Sequence, residues 1–191
     1  RQRQMCIRDR NIRVSNSGGT LMMTADGQTQ TMGSRFKLRR HQTSGENGVR
    51  IAQARYPASL YPGDIEFIAK GGNVQIIVHV YMEDYMLGVL PYEMDNSFPL
   101  EALKAQAILA RTFVLKFLAD KQSKYEGADI STDIEEAQAY DASAVNDRIR
   151  QAVSETEGLV LSAGGELPYA WFHAHSGGLT ALAREGLGWD K

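Results

Sequence analysis

The stretch from Leu100 to Ala119 constrains the fold of this chain more than any other. Leu100, Leu103, Ala107, Ala110, Val114, Phe117 and Leu118 recur at the 3.6-residue period, which predicts a helix that buries one face. Ser97-Phe98-Pro99 supplies its start, a hydroxyl to cap and a proline tolerated in the first turn. Two cations break the pattern. With Leu100 at zero on a wheel of about 100° per residue, Lys104 falls near ~40° and Arg111 near ~20°, inside the apolar stripe. An unpaired charge out of water is costly, so Arg111 must meet a carboxylate, carbonyl groups or a bound polar ligand. The pattern leaves two readings open: a structural ion pair, with the stem lying along the core edge, or a ligand contact.

The elements on either side predict an α+β fold. Residues 11–80 alternate short apolar runs with turns at Gly18-Gly19, Asp26-Gly27, Pro62-Gly63-Asp64 and Gly71-Gly72, the spacing of short strands and hairpins. The clearest pair is Asp64–Ala69 with Val74–Val80, joined by a turn over Lys70–Asn73. A second helix is expected over Ala144–Glu157, with Val145, Ile149, Ala152 and Val153 inward and Gly158 as its stop. A C-terminal hairpin follows: Leu159–Ser162, a turn over Ala163–Glu166, then Leu167–His175 and the turn Ser176-Gly177-Gly178. The reading is one domain over 11–191, with a β-rich part at 11–80 and a catalytic core at 81–191. Arg1–Arg10 is set aside as an extraneous or disordered arm, and the boundary at Lys191 is left open.

Composition narrows the partners. A net charge of -2 offers no bulk attraction to nucleic acid. Cys6 is the only cysteine, so an intrachain disulfide and a multi-cysteine metal site are both excluded. No apolar run approaches the ~20 residues that span a bilayer, and no export signal is visible in the chain.

Glu93 is the leading candidate for chemistry. It lies among Leu90, Tyr92, Met94 and Phe98, a setting that raises a carboxyl pKa and suits a general acid, though it also suits an ion pair with Arg111 or Lys104. His173 and His175 share a face of the expected strand and could begin a metal site, but zinc needs three or four ligands; a polar contact is the simpler role. The Ser176-Gly177-Gly178 amides can hold a polar ligand or simply turn the chain.

Taken together, Val80–Met94, Phe98–Ala107, Ala110-Arg111-Thr112, Gln138-Ala139-Tyr140, Thr156–Leu161 and Phe172–Gly178 resemble the SpoIID/LytB domain, the stage II sporulation protein D and amidase-enhancer family. The resemblance implies an extracytoplasmic lytic transglycosylase acting on peptidoglycan glycan strands, with Glu93 as its catalytic residue and Lys104 and Arg111 matching the family's helix cations. Gln138, Tyr140, His173, Ser176, Gly177 and Gly178 complete the expected substrate-binding set. A cell-wall amidase is the partner implied by the amidase-enhancer side of the family, with a non-catalytic wall-binding module as the alternative function. Two departures stand out. The zinc-binding Cys/His segment of sporulation members corresponds here to Asp129–Tyr140, which has neither residue, so no metal or other cofactor is expected. Ala174 stands where the family strand usually has Ser.

Overall fold

The computed structural model describes residues 11–40, 48–53, 56–120, 123–132, 136–173, 176–180 and 182–186. In the N-terminal half, two-residue turns fold the chain back on itself. Strands β1 (Ile12–Ser17), β2 (Thr20–Ala25) and β3 (Gln28–Gly33) form one antiparallel sheet in that order. A second sheet has the order β4 (Arg35–Leu38), β7 (Asp64–Lys70), β8 (Asn73–His79), and β5 (Val49–Gln53) pairs with β6 (Tyr56–Tyr61). The expected pair is there, with Asp64 opposite His79 and Lys70 opposite Asn73. Its turn needs φ of +54° at Gly71 and +79° at Gly72, which glycine adopts without steric cost and which matches the twist of the flanking strands. Leu21, Ile65 and Phe67 form the buried centre between the sheets, and Phe36 stacks on Phe67 at 4.9 Å.

Among the described residues of this β half, one charged residue is buried. Glu66 is 5% exposed and lies between Arg35, which donates to it from Nε, and His79, whose Nε2 is 2.8 Å from Oε2. These two hydrogen bonds hold its carboxyl well below the ordinary range, at about 2.

The second core is helical. Helix α1 (Met82–Glu93) packs on the long α2 (Leu100–Asp120), and α3 (Asp147–Glu155) covers both. Met86, Val89, Leu90, Leu103, Ala107, Ala110, Ile149 and Ala152 are fully buried in it. Truncating Leu90 or Leu103 to Ala would cost about 2–5 kcal/mol. A single-turn helix, α4 (Ala183–Gly186), ends the described chain, and among the described residues no helix is long and apolar enough to cross a membrane.

Two expectations change in detail, and one helix stands where none was expected. Helix α1 was hidden by Gly88 and Pro91, two poor helix formers within twelve residues. Helix α3 begins at Asp147 rather than Ala144, because Asn146 caps it by accepting from the Ile149 amide at 3.0 Å; Ala142–Ala144 form a 3-10 turn instead. The C-terminal hairpin reduces to a tight turn bridging Ala163 and Glu166, without ladders in its described flanks. Its first flank is spent on α2: Arg111 donates to the Leu159 carbonyl at 3.0 Å, and the Leu161 amide donates to Thr112 Oγ1 at 2.9 Å.

Candidate active site

Glu93 stands at the C-terminal end of α1, where the Met94 amide still bonds back to the Leu90 carbonyl at 3.1 Å. Pro91, inside the last turn, removes a single ladder bond without unravelling the helix. The carboxyl is half-buried, and that desolvation raises its pKa; a hydrogen bond from the Ala139 backbone opposes the rise. Tyr85, on the same helix, is 8% exposed, and burial followed by the charge of Glu93 pushes its hydroxyl far above the ordinary value. Tyr85 is therefore a neutral phenol in the electrostatic reach of Glu93.

The segment carrying Gln138, Ala139 and Tyr140 is clamped onto α1. The Asp141 amide donates to the Gly88 carbonyl at 2.8 Å, and the Tyr140 ring lies over the Gly88 backbone. A Cβ at position 88 would stand 2.2 Å from Tyr140 Cε2, so only glycine accommodates the ring. Tyr140 also stacks between Tyr61 and Tyr85, with centroids 5.5 and 5.8 Å away. Packing of this kind fixes the ring and, through the chain, the neighbouring Ala139 amide.

On α1 and the segment clamped to it, several polar side-chain groups lack described partners. The Tyr85 and Tyr140 hydroxyls and both side-chain polar atoms of Gln138 are buried without a hydrogen-bond partner among the described residues. Gln138 is 5% exposed. Buried polar groups are rarely left unsatisfied in a finished core, which sets α1 and the segment packed on it apart from the rest of the helical core.

The remaining expected residues have the following surroundings. Lys104 bonds to Glu101 at 2.8 Å and to Glu155 across the α2–α3 contact. Arg111 is 1% exposed and makes a two-pronged pair with Glu83, Nε to Oε1 at 3.0 Å and Nη2 to Oε2 at 2.6 Å. Its Nη1 serves the Leu159 and Ala107 carbonyls. In the described structure Lys104 is engaged by two acids, and Arg111 by one acid and two carbonyls of the fold. His173 and the Ser176-Gly177-Gly178 turn are exposed, the turn closed by the Gly178 amide on Ser176 Oγ at 3.2 Å. Cys6, Ala174 and His175 lie outside the described residues. Among the described residues no group of three or more His, Cys, Asp or Glu could hold a metal ion.

Sequence reading missed Tyr85, Gly88 and the Ala139 amide. The helical spacing of Tyr85, Met86, Val89 and Leu90 was a legible signal, and it would have placed Tyr85 and Gly88 on the helix that ends at Glu93.

Comparison with known proteins finds relatives of this chain. The family described as "Stage II sporulation protein", SpoIID, matches residues 70–162, which include α1, α2, α3 and Tyr140. An uncharacterized protein of Brachyspira hyodysenteriae is 30% identical over 67% of this chain and 34% of its own length. The amidase enhancer of Bacillus subtilis is 29% identical over 90% of this chain and 25% of its own length. Stage II sporulation protein D of the same organism is 29% identical over 57% and 36% respectively. The chain thus spans only about a quarter to a third of these curated relatives.

Proposed function

Through residues 70–162 the chain belongs to the SpoIID family, and from that premise we propose that it is a lytic transglycosylase that cuts the MurNAc–GlcNAc bond of peptidoglycan, outside the cytoplasm. The supporting observation is the setting of Glu93: its pKa is raised by burial, the Ala139 backbone bonds to it, and the buried Tyr85 of the same helix lies within reach of its charge.

One carboxyl suffices for the chemistry. Protonated Glu93 donates to the glycosidic oxygen as the C1–O bond breaks and positive charge develops on the sugar ring. The MurNAc C6 hydroxyl then closes on C1, and its proton passes to the Glu93 carboxylate. The acid is restored, no water is consumed, and the new end is a 1,6-anhydro sugar. Gln138 and Tyr140 support the acid from behind, on the segment clamped onto α1. Lys104 and Arg111 act at a distance, by holding α2 against α3 and α1.

The test is the mass of products from purified sacculi. Anhydro ends should appear with the wild-type protein and vanish with Glu93→Gln, because an amide cannot first donate and then accept the proton. Activity should fall as pH rises through the raised pKa of Glu93, since the acid must begin protonated. The same shift gives a stability control. A carboxyl with a raised folded pKa binds more protons folded than unfolded, so it loses stability as pH rises through that window. Glu93→Gln should therefore melt no lower than wild type at neutral pH. A folded Glu93→Gln protein that still makes anhydro ends would refute the mechanism.

A second reading has its own support, the likeness to a protein named amidase enhancer. In it Glu93 binds wall glycan without cutting, and the chain stimulates a cell-wall amidase. Unchanged glycan lengths together with faster amidase release of stem peptides would favour it.

A further inference from the structure

Tyr140, whose seating over Gly88 brings the Ala139 backbone to Glu93, is held from two directions. Tyr85 packs on one side of its ring from the helical core. Tyr61 packs on the other from the β half, the two rings nearly parallel at 6° with centroids 5.5 Å apart. Tyr61 precedes residues 70–162, the stretch matched by the family, and the chemistry of the acid makes no direct use of it. The β half nevertheless fixes it firmly. Tyr61 is the last residue of β6 and pairs with Val49 of β5. A Cβ at Gly48 would lie 2.7 Å from the Tyr61 carbonyl oxygen, and one at Gly63 would lie 2.5 Å from the His79 carbonyl oxygen. Both backbones approach closer than a side chain would permit, which pins the end of β6 between β5 and β8. Strand β6 also lies against the 3-10 turn Ala142–Ala144, just beyond the Asp141 amide that bonds Gly88.

We propose that Tyr61 is a positioning residue for Glu93: the β half presses its ring on Tyr140, Tyr140 stays seated on Gly88, and the Ala139 backbone stays bonded to the acid. The assignment deepens the transglycosylase reading and rests on it for the effect on turnover, while the effect on the carboxyl stands apart. Tyr61 touches neither Glu93 nor substrate in this role; it acts through one ring and one backbone segment. If the stack opens, the 138–141 segment lifts from α1. Glu93 then gains water, which lowers its pKa, and loses the Ala139 hydrogen bond, which raises it. Burial is the larger of the two influences, so the net movement is down, towards the ordinary carboxyl range. A residue that merely stabilised the fold would leave the titration of Glu93 in the folded protein where it is.

The experiment follows the Glu93 carboxyl carbon by NMR through a pH titration, with Glu93→Gln identifying its signal. In parallel it measures kcat and KM for the formation of anhydro ends from purified glycan strands. Tyr61→Ala should move the titration midpoint to lower pH and cut kcat about tenfold, with KM changed less than about twofold. Tyr61→Phe, which keeps the ring, should match wild type in both. If Tyr61→Ala does not fold, Tyr61→Leu, which keeps apolar bulk without the flat ring, carries the same expectations. An unmoved midpoint in a folded Tyr61→Ala or Tyr61→Leu protein, or an equal loss in Tyr61→Phe, would overturn the proposal. The titration needs no turnover, so the two readings fail separately. A midpoint that moves while wild type makes no anhydro ends would sink the chemistry and leave Tyr61 in its role; anhydro ends with an unmoved midpoint would do the reverse.

Discussion

Replacing Arg111 with Met separates scaffold from ligand contact at the one fully buried cation of the described structure. The change removes a two-pronged ion pair at 3.0 and 2.6 Å and two bonds to the Leu159 and Ala107 carbonyls. Breaking a buried pair by deleting one partner typically costs about 3–5 kcal/mol, because the other charge is stranded. Two features lower the figure. The Glu83 side chain is 30% exposed and can rehydrate, and Met fills much of the vacated volume. The expected loss is about 2–3 kcal/mol, and at ~2–4 °C per kcal/mol for a chain of this size it lowers Tm by about 4–12 °C. Melting curves of wild type, Arg111→Met, Glu83→Gln and the double variant give the coupling directly. The double variant should lose less than the sum of the single changes, since it leaves no stranded acid. Digestion rates, measured well below the lowered Tm, should fall less than tenfold. A Tm within ~2 °C of wild type combined with a rate loss above tenfold would refute the scaffold assignment and return Arg111 to the substrate.

Two further perturbations test other parts of the structure. Gly88→Ala would press a methyl into the Tyr140 ring, which Tyr61 and Tyr85 hold in place. The gain of about 1 kcal/mol in helix propensity should be outweighed by about 1–3 kcal/mol of overpacking, and binding of peptide-free glycan should weaken at least tenfold; an equally tight or tighter binder would show that Tyr140 does not order the site. Glu66 has a folded pKa of about 2 against an ordinary 4.5, so its stabilisation is complete above the ordinary value and disappears as pH falls towards 2. Wild type should therefore lose about 1–3 kcal/mol more than Glu66→Gln between pH 5 and pH 2.5, the lower figure allowing for Arg35 being 62% exposed; parallel acid melts for the two proteins would contradict this.

What the sequence discloses of this fold follows from which interactions repeat along the chain. Helix α2 is legible because its apolar positions recur for six turns, and the β7–β8 pair because Gly71-Gly72 separates two β-rich runs. The same wheel shows that Arg111 must be satisfied, but not by what. Its partner Glu83 is 28 residues upstream, on a helix whose pattern Gly88 and Pro91 obscure, and the other acceptor is a carbonyl 48 residues downstream. The C-terminal hairpin misleads for a related reason: apolar runs around a glycine turn say nothing of whether backbone groups pair with each other or with Arg111 and Thr112. At the site the concealment has a physical cause. Gly88 weakens α1 as a helix, and its missing side chain is the space that Tyr140 occupies. Seating that ring sets the Ala139 backbone against Glu93. The residue that makes α1 hardest to recognise is thus the one that lets a segment some fifty residues downstream complete the surroundings of the acid.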